Sequence, residues 1–280
     1  MQCDLFDSSK GIISSTSLRS SLFAIGADQA DILYIHSDMN WGVPNPNIRR
    51  NQMLEIIFEQ ILSLGVKTIF FPTYTFSFCN GENYDPANSR SYMGALNEYA
   101  RKRNDVYRSM DPLMSVCAFG YDLGPVKDIE KESIGLHSTF DLLSAKSRVK
   151  YLFLGPRLGS CFTFMHYLEW KARVPYRYNR PFSGLVVDNN RLREDTYDLF
   201  VRYRNVLPND NSFIYEEILL KNNKMSFRDL GNGGLSLVDQ EIATDVYLDL
   251  LKRDMNFFIQ EPFDRDKVDD SFYVKQMRAL

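Results

Sequence analysis

Histidine is the scarcest reactive residue in this chain. Among 280 residues there are three, His36, His137 and His166. Acid–base chemistry near neutral pH therefore has few places to sit, because imidazole is the side chain that titrates there unaided. Cysteine is scarce too. Cys3, Cys79, Cys117 and Cys161 are scattered and form no Cys-x-x-Cys pair, which argues against a zinc site or a disulfide framework. Four reduced thiols in a cytoplasmic protein are expected, with no metal. No apolar run approaches the roughly 20 residues that span a bilayer, and the polar, acidic Met1–Lys10 does not read as a signal peptide. A basic excess is also missing. Lys and Arg total 33 against 36 for Asp and Glu, which argues against a dedicated nucleic-acid binder. No repeat, low-complexity block or Ser/Gly linker divides the chain, so 1–280 is expected to be one domain. Its 44% apolar and 25% charged composition is that of an ordinary globular core and surface.

What is present reads as alternating strands and helices. Residues 14 to 30 open with a Ser/Thr cluster and read as a helix. Ile-Leu-Tyr-Ile before His36 reads as a buried strand. An amphipathic helix follows over 48–64, with Met53, Ile56, Ile57, Ile61 and Leu64 on one side, and Gly65 ends it. Val66 to Phe71 is a second buried strand. That βαβ order predicts a parallel pair with a right-handed crossover, with ligands beyond the carboxyl ends of the strands. Those ends are His36-Ser37-Asp38 and Pro72-Thr73-Tyr74-Thr75. A helix over 96–103, a loop at 108–112 and strands over 114–120 and 149–154 come next. Alternation over 182–187 and 197–203 around Asp188-Asn189-Asn190 predicts a hairpin rich in Tyr and Arg. Ser236 is expected to cap a closing helix over 238–251. The fold class is therefore α/β: a central mixed sheet with βαβ units flanked by helices, plus an antiparallel hairpin addition.

The most informative segment is Thr163-Phe-Met-His166-Tyr-Leu-Glu169. Steps of three on a helix turn about 300°, so successive members drift by about 60° and share one face. A carboxylate one turn from an imidazole can orient it and stabilise its protonated form, which makes a general base. A structural histidine on a half-buried helix is the plain alternative. Cys161, five residues before His166, points about 140° away on a helix and is a poor partner for it.

Five segments, in order, resemble the aminoglycoside 3-N-acetyltransferase family. They are Leu33-Tyr34-Ile35-His36-Ser37, Phe71-Pro72-Thr73-Tyr74-Thr75, Met93-Gly94-Ala95-Leu96 with Glu98 and Arg101, Arg108-Ser109-Met110-Asp111-Pro112 with Ser115, and Thr163-x-x-His166-x-x-Glu169. Leu230-Gly231 and the closing helix extend the match. The sequence departs from the family at Asp111, where the family has His before Pro, at Ser138-Thr139 for Ser-Pro, and at Phe162 for Asn.

The resemblance implies transfer of an acetyl group from acetyl-CoA to an amine. His166 is then the base, Glu169 its orienting carboxylate, and Thr163 the donor to the oxyanion or the holder of the thioester carbonyl. CoA is expected at His36, Ser37, Asp38, Thr73 and Thr75, with Ser109 and Ser115 lining the same groove. Arg49 and Arg50, opening a helix, are candidates for its phosphates. The resemblance implies that Glu98 faces the acceptor, though an i, i+3 pair with Arg101 is as good a reading. Asp111 either contacts acceptor hydroxyls or caps the turn before Pro112. His137 is read as a loop histidine.

Arg173, Arg177, Arg180, Arg191, Arg193, Arg202 and Arg204, interleaved with aromatics, suit a nucleotide-linked amino sugar of surface-polysaccharide synthesis. A hairpin packing its aromatics inward and solvating its arginines is the alternative. True aminoglycoside acetylation, a non-catalytic binding relative, and a metal-dependent hydrolase using His36, Asp38 and His166 are the rival functions. A monomer or homodimer is expected, with no nucleic acid and no membrane.

Overall fold

The computed structural model describes residues 2–271. The polar N-terminal segment folds as a hairpin, β1 (Asp4–Ser8) and β2 (Gly11–Ser14), anchored by buried Leu5 and Phe6. Ser14 then caps α1 (Ser15–Ala24) in a capping box with Ser17. This helix is shorter than expected. Gly26 takes a left-handed φ of 85° and the chain continues as a 3-10 turn at Ala27–Gln29.

The expected βαβ unit is β3 (Ile32–Ser37), a short β4 (Val43–Pro44) that pairs back onto β1, α2 (Arg50–Leu62) and β5 (Thr68–Pro72). β3 and β5 are parallel, with Ile32 opposite Thr68. Every residue of both is buried, as central parallel strands beneath helices require. Next come α3 (Ala95–Arg101), β6 (Tyr107–Arg108) and β7 (Val116–Gly120). β7 runs antiparallel to β5 and makes the sheet mixed. After α4 (Gly124–Lys127) and α5 (Thr139–Ser144), β8 (Val149–Leu154) lies parallel to β3 on its other side, with Ser37 opposite Leu154. The chain thus leaves β3 to one side and returns to the other. Such a switch point opens a crevice beyond the strand ends, here Ser37, Pro72 and Leu154.

Helices α6 (Leu158–Cys161) and α7 (Phe164–Lys171) start directly after that crevice. Two twelve-residue strands follow, β9 (Arg177–Asp188) and β10 (Arg191–Arg202). The turn falls where the sequence predicts it. Asn189 and Asn190 both take positive φ, 48° and 61°, the conformation that a tight two-residue hairpin needs. The pairing reaches further than the alternation suggests and places Arg177 directly opposite Arg202.

The chain closes with α8 (Asn211–Lys221), β11 (Met225–Leu230), β12 (Gly233–Asp239) and α9 (Gln240–Arg253). Ser236 is not a helix cap. It is a buried residue of β12, opposite Phe153 of β8. Main-chain pairing with β8 carries this segment as a strand through Asp239, so the helix begins at Gln240.

The seven strands lie in the order β11-β12-β8-β3-β5-β7-β6. Alternate side chains feed two cores. Ile32, Tyr34, Phe70 and Tyr151 pack on the face that α5, α7 and α9 cover, while Leu33, Ile35, Ile69 and Leu152 pack with α1 and α2 on the other. Among the described residues no helix is long and apolar enough to cross a membrane.

Candidate active site

A cavity of about 720 Å³ opens beyond the carboxyl ends of the parallel strands. Its walls come from five places. His36, Ser37 and Asp38 end β3, and Pro72 and Tyr74 follow from β5. Gly94 and Asn97 flank the start of α3. Cys161, Thr163 and His166 come from α6 and α7, and Arg177, Phe200 and Arg202 from the hairpin. Asn97 pins the mouth. It accepts from Ser37 Oγ at 2.7 Å and donates to the Pro72 carbonyl at 2.8 Å, tying the ends of β3 and β5 together. Gly94 has φ of 96°, and a Cβ there would stand 2.8 Å from the Ser37 carbonyl. Only glycine lets the loop lie that close to the strand end.

The α7 face forms as its spacing predicts. His166 Nδ1 lies 2.9 Å from Glu169 Oε2, and Thr163 lines the same cavity as His166. Glu169 is almost fully buried and has two further partners. Tyr176 Oη donates to it at 3.0 Å, and Arg177 Nε stands 2.8 Å away. That last N–H does not aim at the oxygen, so the contact is a charge pair and not a formed hydrogen bond. Burial raises the Glu169 carboxyl, but Arg177, His166 and Tyr176 together outweigh it and hold the group ionised.

Arg177 Nη2 also lies 2.9 Å from His166 Nδ1. Only one of the two contacts at Nδ1 can be a hydrogen bond at a time. A carboxylate only accepts and a guanidinium only donates. Pairing with Glu169 puts the proton on Nδ1 and leaves Nε2 with a lone pair, and Nε2 has no partner among the described residues. This is the form that acts as a base. Burial first, and then Arg177, lower the pKa of His166 from its ordinary 6.5, against the opposing pull of Glu169. The ring keeps 41% of its side-chain exposure, and it lines two cavities. The imidazole is therefore reachable, yet its cation is poorly solvated.

His36 lines the cavity but is not a second base. Burial takes its pKa down to about 3, and its ring stacks on Phe153 with centroids 5.2 Å apart. Its Nε2 is buried without a partner, which leaves one polar atom at the β3 end for a ligand to satisfy. Cys161 is held as a thiol, since burial raises it to about 12.

Several residues expected at the site stand elsewhere. Thr73 and Thr75 are buried and spend their hydroxyl protons on the carbonyls of Ser115 and Pro112. Ser115 donates to the Thr73 carbonyl and Ser109 Oγ accepts from Val116 N. These four hydroxyls staple β5 to β7 and the preceding loop, and none lines the cavity. Glu98 is bound by Arg101 at 2.7 and 2.8 Å and accepts from Ser91 N, so the pair with Arg101 is what the fold makes. Arg49 and Arg50 are exposed and His137 sits in a loop; all three lie outside the cavity lining. Among the described residues no three His, Cys, Asp or Glu side chains cluster as a metal site would need.

Asp111 is also outside the cavity. Its Oδ1 accepts from Leu113 N, Met114 N and Ser133 Oγ at 2.8 to 2.9 Å, the geometry of a turn cap. Asp111→Ala should therefore lower unfolding free energy by about 1–3 kcal/mol, because it strands buried donors. Specific activity of the folded fraction should change little. Denaturant titration beside steady-state kinetics checks this; a large rise in acceptor KM at unchanged stability would show that the residue touches acceptor after all.

Arg177 and Arg202 stand in the sequence only as two of seven arginines interleaved with aromatics, and nothing there ties them or Tyr176 to His166. The chain reverses between α7 and β9, where Arg173 takes a φ of 55°, so no helical or strand period connects them to His166.

Comparison with known proteins points one way. A family model described as aminoglycoside 3-N-acetyltransferase matches residues 71–252. No curated protein matches the sequence. Among solved structures, aminoglycoside acetyltransferase AAC(3)-IVa as apoenzyme superposes with a TM-score of 0.69 at 17% identity, covering 94% of each chain. AAC-IIIb in binary complex with CoASH gives 0.71 at 19%, covering 85% of this chain and 96% of that one. AAC-VIa bound to sisomicin gives 0.71 at 17%, covering 85% and 97%. Identities this low establish a shared fold.

Proposed function

The chain belongs to the aminoglycoside 3-N-acetyltransferase family, and on that premise we propose that it transfers an acetyl group from acetyl-CoA to an amine of an amino sugar through His166. The observation that carries the reading is His166, held by Glu169 behind it, in the wall of a cavity at the sheet's switch point. The thioester arm enters at the end of β3, where His36, Ser37 and Asp38 lie. The relative bound to CoASH supports that co-substrate.

The chemistry needs one proton moved twice. The amine attacks the thioester carbon and gives its proton to His166 Nε2. Glu169 and the Nδ1 proton hold the ring and stabilise the imidazolium. Thr163 lines the cavity beside His166, and its hydroxyl, which donates to the Cys161 carbonyl at 3.3 Å, would turn that proton toward the tetrahedral oxyanion. Collapse breaks the carbon–sulfur bond, and the imidazolium proton goes to the departing thiolate, leaving amide and CoA thiol.

Aminoglycoside amines are the acceptors that the family and the sisomicin-bound relative favour. One observation favours a second reading, an amino sugar carrying a negative group such as a nucleotide. Arg202 lines the cavity and has no ion-pair partner among the described residues. A thiol-release assay across kanamycin- and gentamicin-type amines and nucleotide-linked amino sugars tests both. Acetylation of aminoglycosides with nucleotide-linked sugars inert selects the first reading. The reverse selects the second, and no thiol release with any amine would sink the proposed function.

A further inference from the structure

The hairpin brings two arginines to one place. Arg177 and Arg202 stand directly across from each other on β9 and β10, and both line the cavity. Like charges directly opposite in a sheet repel, so each needs an answer. Arg177 has one in Glu169, 2.8 Å away. Glu169 is already engaged by His166 and Tyr176 as well. Arg202 is anchored by a single bond, Nε donating to the Val206 carbonyl at 2.7 Å. Its two Nη groups have no protein partner among the described residues, and the residue is half-buried. The charged and titratable groups facing it are Arg177, Glu169, Tyr176 and His166. Glu169 cancels Arg177, and His166 is neutral near pH 7. One fixed positive charge remains uncompensated beside the base.

The space next to it suits an anion. A second chamber of about 310 Å³ shares Thr163, His166, Arg177 and Arg202 with the main cavity. Ser212 lines this chamber, and its hydroxyl has no hydrogen-bond partner among the described residues. A fork of two N–H donors and a free hydroxyl facing one chamber is the chemistry that holds a carboxylate or phosphate.

We infer that Arg202 is the oxyanion subsite of the acceptor half of the cavity, and that the enzyme selects amines whose molecule also carries a phosphate or carboxylate. The inference rests on the acetyl-transfer reading for which half of the cavity takes the acceptor. It makes Arg202 a specificity residue: a polycationic acceptor meets repulsion there, and an anionic one meets two directed donors.

Glucosamine 6-phosphate and glucosamine are the paired probes, since they differ by one phosphate. Binding is read by calorimetry and turnover by thiol release, on the parent, Arg202→Gln and Arg202→Lys, each checked for folding by thermal denaturation. In the parent the phosphorylated amine should bind about 10- to 100-fold tighter than glucosamine. Arg202→Gln should erase most of that gap, and Arg202→Lys, which keeps the charge, should restore part of it. Equal binding of both amines by the parent, with Gln changing neither, would overturn the inference. So would a rise in KM for acetyl-CoA that vanishes with acetyl-dephospho-CoA, which would assign Arg202 to the coenzyme's phosphate. The two proposals fail separately. Arg202-dependent binding without acetyl transfer would sink the acetyltransferase reading alone, and transfer to both amines regardless of Arg202 would sink the anion subsite alone.

Discussion

His166→Ala should lower kcat by about 100- to 10,000-fold, the usual contribution of a positioned general base, while the fold survives. The physical case is one of supply. Of three histidines, His137 lies outside the cavity and His36 is buried with a pKa near 3. Cys161 is held protonated, and Glu169 is fully occupied by three neighbours. Among the histidines and cysteines of the wall, His166 is the one left to take an amine proton near neutral pH. The pH profile gives an independent reading. The pKa of His166 is lowered below 6.5, and the base form is the deprotonated one. In the free parent enzyme kcat/KM should therefore rise with pH and level off at a pKa below 6.5, and that limb should be absent from the variant's residual rate. Equal thiol release by parent and His166→Ala would defeat the assignment of His166 as the base, and release no faster than background by both would favour a non-catalytic relative.

Arg177→Gln should be nearly as damaging, for a different reason. Arg177 and Glu169 side chains keep only 7% and 5% of their exposure. Removing one partner of a buried pair leaves the other charge uncompensated, at a cost of about 3–5 kcal/mol. Urea unfolding measures that loss. The kinetic consequence is a shift in the acid limb. Burial and Arg177 both lower the pKa of His166, and Glu169 raises it; without Arg177 the limb of kcat/KM should move to higher pH. The pH dependence of stability has the same sign for both groups. Glu169 and His166 each have a folded pKa below the unfolded one, so the unfolded chain binds more protons and stability falls as pH drops. For His166 the fall lies below 6.5, and for Glu169 below about 4.5 and down through its depressed folded value. In Arg177→Gln the Glu169 carboxyl is released upward, so acid unfolding should begin at higher pH than in the parent. An unmoved acid limb together with parent-like stability would show that the guanidinium neither tunes the base nor secures the carboxylate.

Much of this site is local along the chain and therefore legible in it. Thr163, His166 and Glu169 are one helical turn apart, and a helix converts that spacing into a shared face whatever surrounds it. The short apolar runs before His36 and over Val66–Phe71 read as buried strands, and the helix between them made the pair parallel, so their carboxyl ends marked the crevice. Asn189-Asn190 marked the hairpin turn because few other residues accept two positive φ values. What sequence could not decide was which way a polar group turns once long-range neighbours arrive. Thr73, Thr75, Ser109 and Ser115 carry the right chemistry for a cofactor groove, but a hydroxyl bonds the nearest carbonyl or N–H that the fold supplies, and here each meets main chain. Glu98 and Asp111 instead took the local alternatives already visible in the sequence, the i, i+3 pair with Arg101 and a turn cap. Arg177 and Arg202 reach His166 only through the register of a twelve-residue hairpin. Twenty-five positions separate them in sequence, and a register is fixed by tertiary contacts, not by spacing.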